Sequence, residues 1–253
     1  CPILALDCPS GLDAWSGMPK PVAVRADATL TFICPKPGLY TGDGRDYSGD
    51  ITLAYTATAN NWEAAGGIVG FYDGTDGTAV TNGCTNSGKV WATVNSSNAN
   101  IGAGGIAGII KSGNATNNTN DGAVWMHNAQ AGKSSYAGGI VGYDYNTKDK
   151  SAVTGNVNNG AVQATVEGTS ALLAAGGIIG RNDVGAVSGC RNFGAVACAL
   201  HAGALVGWNK KSVEDSAAGG SVNGTALTGT NYAELAVGFQ DGGSSSGITF
   251  GEK

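Results

Sequence analysis

A chain of 253 residues can bury a sizeable core, and its net charge of −5, with only 14 Lys and Arg, argues against nucleic acid as a partner. Gly reaches 43 residues while charged residues fall to 13% and hydrophobic ones hold at 42%, which excludes the polar, highly charged signature of disorder and favours short strands joined by tight turns. No window carries the roughly 18 apolar residues of a membrane helix, so no transmembrane segment is expected.

The six cysteines, at 1, 8, 34, 84, 190 and 198, form no CxxC, and His127 and His201 are the only histidines. A zinc site is therefore not expected, and buried free thiols are the default. Cys190 and Cys198 are near enough in sequence to meet across a turn, but that pairing is not favoured. Cys1 reads either as an arbitrary start or as the lipid-bearing cysteine of a bacterial lipoprotein.

The first predicted element is an apolar strand in "ILALDCPSGLDAWSG" (Ile3–Gly17), closed by Asp7 and a Pro-Ser-Gly turn. A second strand, Thr29–Cys34, follows and leads into the Pro/Gly-rich loop "PKPGLYTGDG". An Asp at the C-terminal end of a buried strand is where open α/β sheets place ligand-binding groups. These residues resemble the C-terminal part of the NAD(P)HX epimerase domain. The resemblance implies a substrate contact at Asp7 and a potassium ligand at Ser10. The chain shows no counterpart of that family's glycine-rich phosphate loop or its "NNGGDG" segment. Residues 1–47 thus read as an incomplete α/β-like segment or cap, with uncovered strand edges and no catalysis of its own.

From about residue 48 the chain becomes periodic. One anchor reads "GGIVG" at Gly66–Gly70, "GGIAG" at Gly104–Gly108, "GGIVG" at Gly138–Gly142 and "GGIIG" at Gly176–Gly180, with weaker copies ending at Gly207 and Gly238. The closing glycines are spaced by 38, 34, 38, 27 and 31 residues. A second anchor, NxGxV, recurs at Asn86–Val90, Asn120–Val124, Asn158–Val162 and Asn192–Val196, with a degraded copy at Ala218–Val222. From Gly88, Gly122 and Gly160 to the next closing glycine takes 20 residues each time, so the second half-repeat has the stricter length. "SGDI" at Ser48–Ile51 fits the same half-repeat, with Gly49-Asp50-Ile51 standing where Gly88-Lys89-Val90 does.

The Ile and Val of the first anchor favour extended backbone, and its glycines permit positive φ or close backbone approach. The Asn of the second anchor can cap a turn through its amide, and its Gly can take the left-handed conformation. "VWATV" and "VQATV" alternate with period two, the mark of a half-buried strand. One such unit cannot bury its apolar stripe alone, whereas stacked units can. The expected fold is mainly β, a repeat-built β-solenoid, with a β-sandwich or prism of hairpin repeats as the alternative. Residues 48–253 form this repeat domain, with degenerate C-terminal copies as a cap. The segments Ala137–Val166 and Ala174–Cys198 resemble the GLUG-repeat family of bacterial surface proteins. That resemblance implies an extracellular or surface-attached protein and no catalytic residue.

Asp73, Asp76, Asp144, Asp149, Asp183 and Asp215 follow the first anchor, but their offsets drift between copies. They read as solvated turn residues, with calcium a weak possibility. Phe71, Tyr72, Tyr143, Tyr145, Trp208 and Phe239 also follow it. Of these, Tyr72, Tyr143 and Trp208 are the candidate contacts for a carbohydrate or protein, against packing at strand ends. Trp91 and Trp125 stand at matching positions and are expected on one inner or outer face. Asn-x-Ser/Thr at Asn95, Asn114, Asn117 and Asn223 matters only in a host that glycosylates secreted proteins.

The leading expectation is a non-enzymatic, surface-exposed repeat protein serving adhesion, binding or structural spacing. Its partners would be a protein or glycan on a surface, or further copies of itself. The alternatives are a fragment related to NAD(P)HX epimerase and a subunit of an extracellular fibre. No cofactor is expected.

Overall fold

The computed structural model describes residues 2–32, 36–55, 63–73, 79–95, 97, 100–145, 151–170 and 172–252. Cys1, Cys34, Asp76 and Asp149, singled out above, lie outside them. The chain winds into a β-solenoid of about five turns. Nearly every strand pairs in parallel with its equivalents in the coils above and below. A full coil contributes five short strands, one to each of five faces, except that Ala107–Thr116 runs as one ten-residue strand through the third and fourth.

The first face carries Lys89–Val94, Val124–Asn128, Val162–Val166 and Ala195–Cys198 in unbroken register. The second carries the strands that end in the first anchor, such as Ile101–Gly104 and Ser135–Gly138. The third begins inside that anchor, as in Val141–Asp144 and Ile179–Asn182. The fourth includes Ser151–Thr154 and Ala186–Ser188, and the fifth the two-residue strands at Thr119–Asn120, Val157–Asn158 and Arg191–Asn192.

The two anchors have one structural explanation. At the first, the chain reverses so sharply that the second and third faces lie back to back. A Cβ on Gly142 would stand 2.5 Å from the Ala103 nitrogen, and one on Gly66 1.9 Å from the Val69 oxygen. The wall between the faces is thus backbone against backbone, and glycine is the residue that permits it. It separates two apolar cells. One holds Val90, Ile101, Val124, Met126, Ala137 and Val162, and the other Ile106, Ile140, Val153, Ile178, Val187 and Leu205.

The tip of this wall meets the second anchor. Asn86, Asn120, Asn158 and Asn192 are buried and stack in a ladder along the axis. Each Nδ2 donates to the next Oδ1, at 2.8, 2.8 and 2.7 Å. Each also donates to the carbonyl two residues on, for example Asn120 to Gly122 at 2.7 Å. A Cβ on Gly105 would lie 2.3 Å from Asn120 Cγ, and one on Gly177 2.2 Å from Asn192 Cγ. The middle glycine of each first anchor is therefore the seat of the Asn amide of the second. In the fifth coil both partners change together: Ala218 stands in the Asn position and Ala204 in the glycine position, both fully buried.

Two expectations are corrected. Gly88, Gly122, Gly160 and Gly194 are not left-handed; among the described glycines with positive φ none belongs to this set. Close stacking requires Gly122, Gly160 and Gly194 instead, since a Cβ on Gly122 would stand 1.9 Å from the Gly88 oxygen, whereas one on Gly88 would come no nearer than 3.0 Å, to the Tyr40 hydroxyl. The strand Asp50–Tyr55 also enters the sheet two residues later than the Gly49/Gly88 alignment implies, pairing Leu53 rather than Ile51 with Val90. No Asn seats this first turn. The chain arrives instead from the helix Gly44–Ser48 through Gly49, at φ 58°.

The N-terminal segment extends the solenoid. Leu4–Leu6 and Ala28–Phe32 continue the first face in parallel beyond Asp50–Tyr55, so one sheet crosses residue 47. The solenoid covers one edge, and Leu4–Leu6 ends the sheet at the other. The side chains of Leu4 and Leu6 are 60% and 63% exposed. At the opposite end Thr225–Ala226 turns back antiparallel on Ser221–Val222, and a short helix, Tyr232–Leu235, precedes the last partial coil.

Candidate functional site

Three groups of side chains have chemistry beyond packing. The first is at the end of strand Leu4–Leu6. Asp7 takes φ 68°, and its N–H donates to the Leu30 oxygen at 2.8 Å. Its Oδ1 accepts from the Phe32 N–H at 3.2 Å and the Thr31 hydroxyl at 3.4 Å, and forms an ion pair with Lys36. The Lys36 ammonium holds the Asp7 carboxyl below the usual carboxylate range. Ser10 sits in an exposed turn, its carbonyl accepting the Val24 N–H at 2.9 Å. A potassium ion needs several convergent oxygens, and an exposed Ser10 hydroxyl, with the Asp7 carboxylate already paired with an ammonium, is no such cage. The residues present do not fit that ion. Next to them, Asp13 organises its own turn, accepting from Trp15 N–H, Ser16 N–H and Ser16 Oγ and pairing with Lys20.

The second group lies at the mouth of the glycine wall. The residue directly after each closing glycine stands at the mouth of the wall, where Phe71 and Phe239 are exposed but Ile109 and Tyr143 are buried, so Tyr143 packs there rather than offering a free contact surface. In chain order the column reads Phe71, Ile109, Tyr143, Arg181, Trp208, Phe239, each in register with the next. Tyr143 and Trp208 share this column. Tyr72 stands one position further on, in register with Ile110, in the column that continues through Asp144, Asn182 and Asn209.

Arg181 was not among the sequence candidates, and it organises the group. Its guanidinium lies over the rings of Tyr136, Tyr143 and Trp208 at 5.2, 5.0 and 4.8 Å. It donates to Tyr136 Oη at 2.6 Å and to Asp183 Oδ1 at 2.9 Å, while the Tyr143 hydroxyl donates to Asp183 Oδ2 at 2.8 Å. Lys210 stands 3.5 Å from Asp183 and 3.9 Å from Asp241, which accepts the Trp208 indole N–H at 3.1 Å. Burial pushes both phenols up, so they stay protonated, and the Asp183 contact keeps Arg181 charged. At the outer end His201 stacks on Phe239 and meets Trp208 edge-on. Burial lowers the His201 imidazole, which favours its neutral form. This is a fixed, satisfied cluster that can present rings and one cation. It offers no activated nucleophile and no acid–base pair. The alignment that found its aromatics held the signal for Arg181, which occupies the same offset.

The third group is on the outer side of the first face. Trp91 and Trp125 are in register, ring centroids 4.4 Å apart at 63°, and Trp125 lies nearly parallel to His127 at 5.4 Å. Trp91 is 49% exposed.

Elsewhere the acidic residues do not converge. Asp73 pairs with Lys111 at 2.7 Å, and no cluster of three or more His, Cys, Asp or Glu could hold a metal among the described residues. Cys8, Cys84, Cys190 and Cys198 are free thiols, the last two buried. No helix is long and apolar enough to cross a membrane among the described residues.

Fold and sites thus define the class, a parallel β-solenoid with a short N-terminal extension of one face. The model of the family described as YjeF-related protein N-terminus matches residues 1–38. Over 50 residues the chain is 54% identical to a bifunctional NAD(P)H-hydrate repair enzyme of Leishmania braziliensis, a stretch that is 20% of this chain and 9% of that protein. It is 50% identical over 50 residues to the Nnr enzyme of the same description from Escherichia coli K12, covering 20% and 10%. It is 48% identical over 52 residues to an NAD(P)H-hydrate epimerase of Legionella pneumophila strain Corby, covering 21% and 19%. The chain spans less than a fifth of the length of these relatives. No solved structure matches it.

Proposed function

We propose that this chain is a non-enzymatic repeat scaffold of the GLUG type, extracellular or held at a bacterial cell surface, whose outward columns serve adhesion, binding or spacing. The carrying observation is the division of labour within each coil. Inward positions are closed by glycine contacts, Asn ladders and small aliphatics, whereas the outer side of the first face holds one side chain of varying type per coil, each in strand register with the next. Such a body is suited to presenting surfaces. The test is labelling of intact producing cells with an antibody to the solenoid. Signal on unpermeabilised cells is expected, and signal only after lysis would sink the reading.

A second reading rests on the Asp7–Lys36 pair and the N-terminal likeness: a fragment related to NAD(P)H-hydrate epimerase. Purified chain incubated with hydrated NADPH would then interconvert the two epimers and lose that activity on Asp7→Ala. Absence of interconversion by the intact protein removes it. A fibre subunit is the third reading, supported by the uncovered sheet edge at Leu4–Leu6. Sedimentation at rising concentration tests it, and a persistent monomer counts against it.

A further inference from the structure

The third group of side chains does not stand alone. From Trp91 and Trp125 the same outward column continues through Gln163 to Ala197, with Thr93, His127 and Thr165 in the column beside it. His127 Nδ1 lies 2.9 Å from Thr165 Oγ1, which ties its imidazole to the face. The column then runs into a groove of about 540 Å³, lined among others by Gln163, Thr165, Thr169, Ser170, Leu200 and Asn223.

The groove has a cause in the repeat lengths. The closing glycines are 27 residues apart between Gly180 and Gly207, against 34 or 38 in the preceding coils. The shortening falls at the corner after the first face. There the chain passes from Cys198 to His201 through Ala199 and Leu200 alone, while the coil before it inserts residues 167–172. The long corner overhangs the short one and leaves the notch.

We infer that this outer face is a binding site for a neutral polysaccharide laid along the solenoid axis, with Trp91 and Trp125 as stacking platform and the notch as end pocket. The inference rests on the reading of the solenoid as a binding scaffold and names its ligand class.

Four features argue for that occupant. The volume suits a small bound unit, since ligand pockets run from about 300 to 1,000 Å³. No Asp, Glu, Lys or Arg lines the notch, and the one carboxylate in its corner, Glu167, stands 3.8 Å from His127 Nε2, so a phosphate or carboxylate ligand would find no Lys or Arg partner there. The lining combines aliphatic surface with an amide and hydroxyls, Gln163, Thr165, Thr169 and Ser170, which match a molecule with both C–H faces and many hydroxyls. Finally, Trp91 is 49% exposed and Trp125 partly so, and an indole face left in water offers apolar surface to a pyranose ring. Trp91 and Ala197 are three strand steps apart, roughly 14 Å at about 4.8 Å per step, a length that several linked sugars span.

The test is affinity electrophoresis of the intact chain in native gels cast with hydroxyethyl cellulose, mixed-linkage β-glucan or dextran, with alginate as the acidic contrast. Retardation by at least one neutral gel is expected. Trp125→Ala and Trp91→Ala should weaken it at least tenfold and Gln163→Ala severalfold, whereas Trp208→Ala should leave it unchanged. Trp125→Phe, which keeps a ring on the platform, should retain much of the retardation, and thermal melts of each variant identify any that fail to fold. Free migration in every neutral gel, retardation by alginate alone, or full retardation of the folded Trp91 and Trp125 variants would each overturn the site. Retardation that depends on Trp208 and Phe239 instead would overturn this site and leave the binding scaffold standing. Free migration in all gels together with absence from intact cells would remove both.

Discussion

In strand Val124–Asn128, Val124 and Met126 point into an apolar cell, and the backbone is paired on both sides. In strand Leu4–Leu6 of the same sheet, Ala5 points inward, Leu4 and Leu6 face outward, and pairing stops at one edge. Around it Trp15 is 79% and Val22 76% exposed. The coil is closed on itself by contacts that leave no room for another atom. The N-terminal segment is fastened along one edge, by strand pairing and by buried Thr29 and Thr31. Parallel sheets normally bury both faces. Here one face of the extension is dry, with Thr29 Oγ1 donating to the Ser48 carbonyl at 2.6 Å, while Leu4 and Leu6 on the other are exposed among the described residues. Substitutions should therefore have steeply different effects in the two regions.

The largest effect belongs to the glycine wall. A Cβ on Gly139 would stand 2.1 Å from the Gly177 oxygen and 2.3 Å from Asn158 Cγ. Backbone cannot withdraw without spreading the coils, so Gly139→Ala should destabilise by about 3 kcal/mol or more. Chemical denaturation followed by far-UV circular dichroism reads it. A variant as stable as the parent would show that the coils can part at little cost and would undo the close-packing account.

Next comes the ladder. Asn158→Ala removes an acceptor from Asn120 Nδ2 and a donor from Asn192 Oδ1, both buried, and should cost about 2–4 kcal/mol. The partnered change at Ala204 and Ala218 sharpens this. Gly177→Ala with Asn192→Ala reproduces that pair one coil earlier, and the double variant should be more stable than the sum of the singles by about 1 kcal/mol or more. Strict additivity would mean that the amide and the glycine do not share one space.

That partnership also shows what the sequence held. The repeat, its strands and the meeting of Trp91 with Trp125 were legible because period and alternation follow from packing one coil on the next. The two anchors were legible as motifs but not as one contact, since spacing alone does not say that Gly105 seats Asn120. The left-handed reading held at Gly220 of the degraded copy, at φ 76°, and failed at Gly88, Gly122, Gly160 and Gly194 because a glycine needed for close approach looks the same in sequence as one needed for a turn. Arg181 was passed over because the search at that offset was for rings, whereas the column accepts any side chain that fills the mouth of the wall. Tyr72 was grouped with Tyr143 by proximity in sequence, and period two puts it in the adjacent column.

A smaller and pH-dependent effect separates one ladder from another. Asn182 donates to Asn209 at 2.9 Å, and Asn209 to Gln240 at 2.9 Å, so the third face has its own amide ladder. Asp144 stands at its head in register with Asn182, fully buried, and its Oδ1 has no hydrogen-bond partner. Burial pushes its carboxyl up to about 7, opposed by the Ser151 hydroxyl and the Gly185 N–H and reinforced by Asp183. An acid whose folded pKa is raised binds its proton more tightly in the native state. Stability is then highest below the ordinary aspartate value of 3.8, falls as pH rises towards about 7, and stays low above it. That interval corresponds to roughly 4 kcal/mol at most. Asp144→Asn, which supplies the amide of the ladder, should raise the melting temperature at pH 8 by several degrees and change it little at pH 4. Equal effects at both pH values would show that the carboxyl does not titrate in this window.

The smallest effect is expected in the N-terminal segment, and it bears on the comparison most directly. Trp15→Ala and Leu6→Ala remove large apolar side chains that are already in water, so each should change stability by less than about 0.5 kcal/mol. The same truncation at Val124 or Met126, both 1% exposed, should cost about 2 kcal/mol or more. The contrast is read in one denaturation experiment on the whole chain, because the two strands belong to one sheet. If Leu6→Ala proved as costly as Met126→Ala, the outward face of the extension would have to be covered in solution. Coverage by a second copy would make that cost depend on protein concentration, whereas coverage from within the same chain would not.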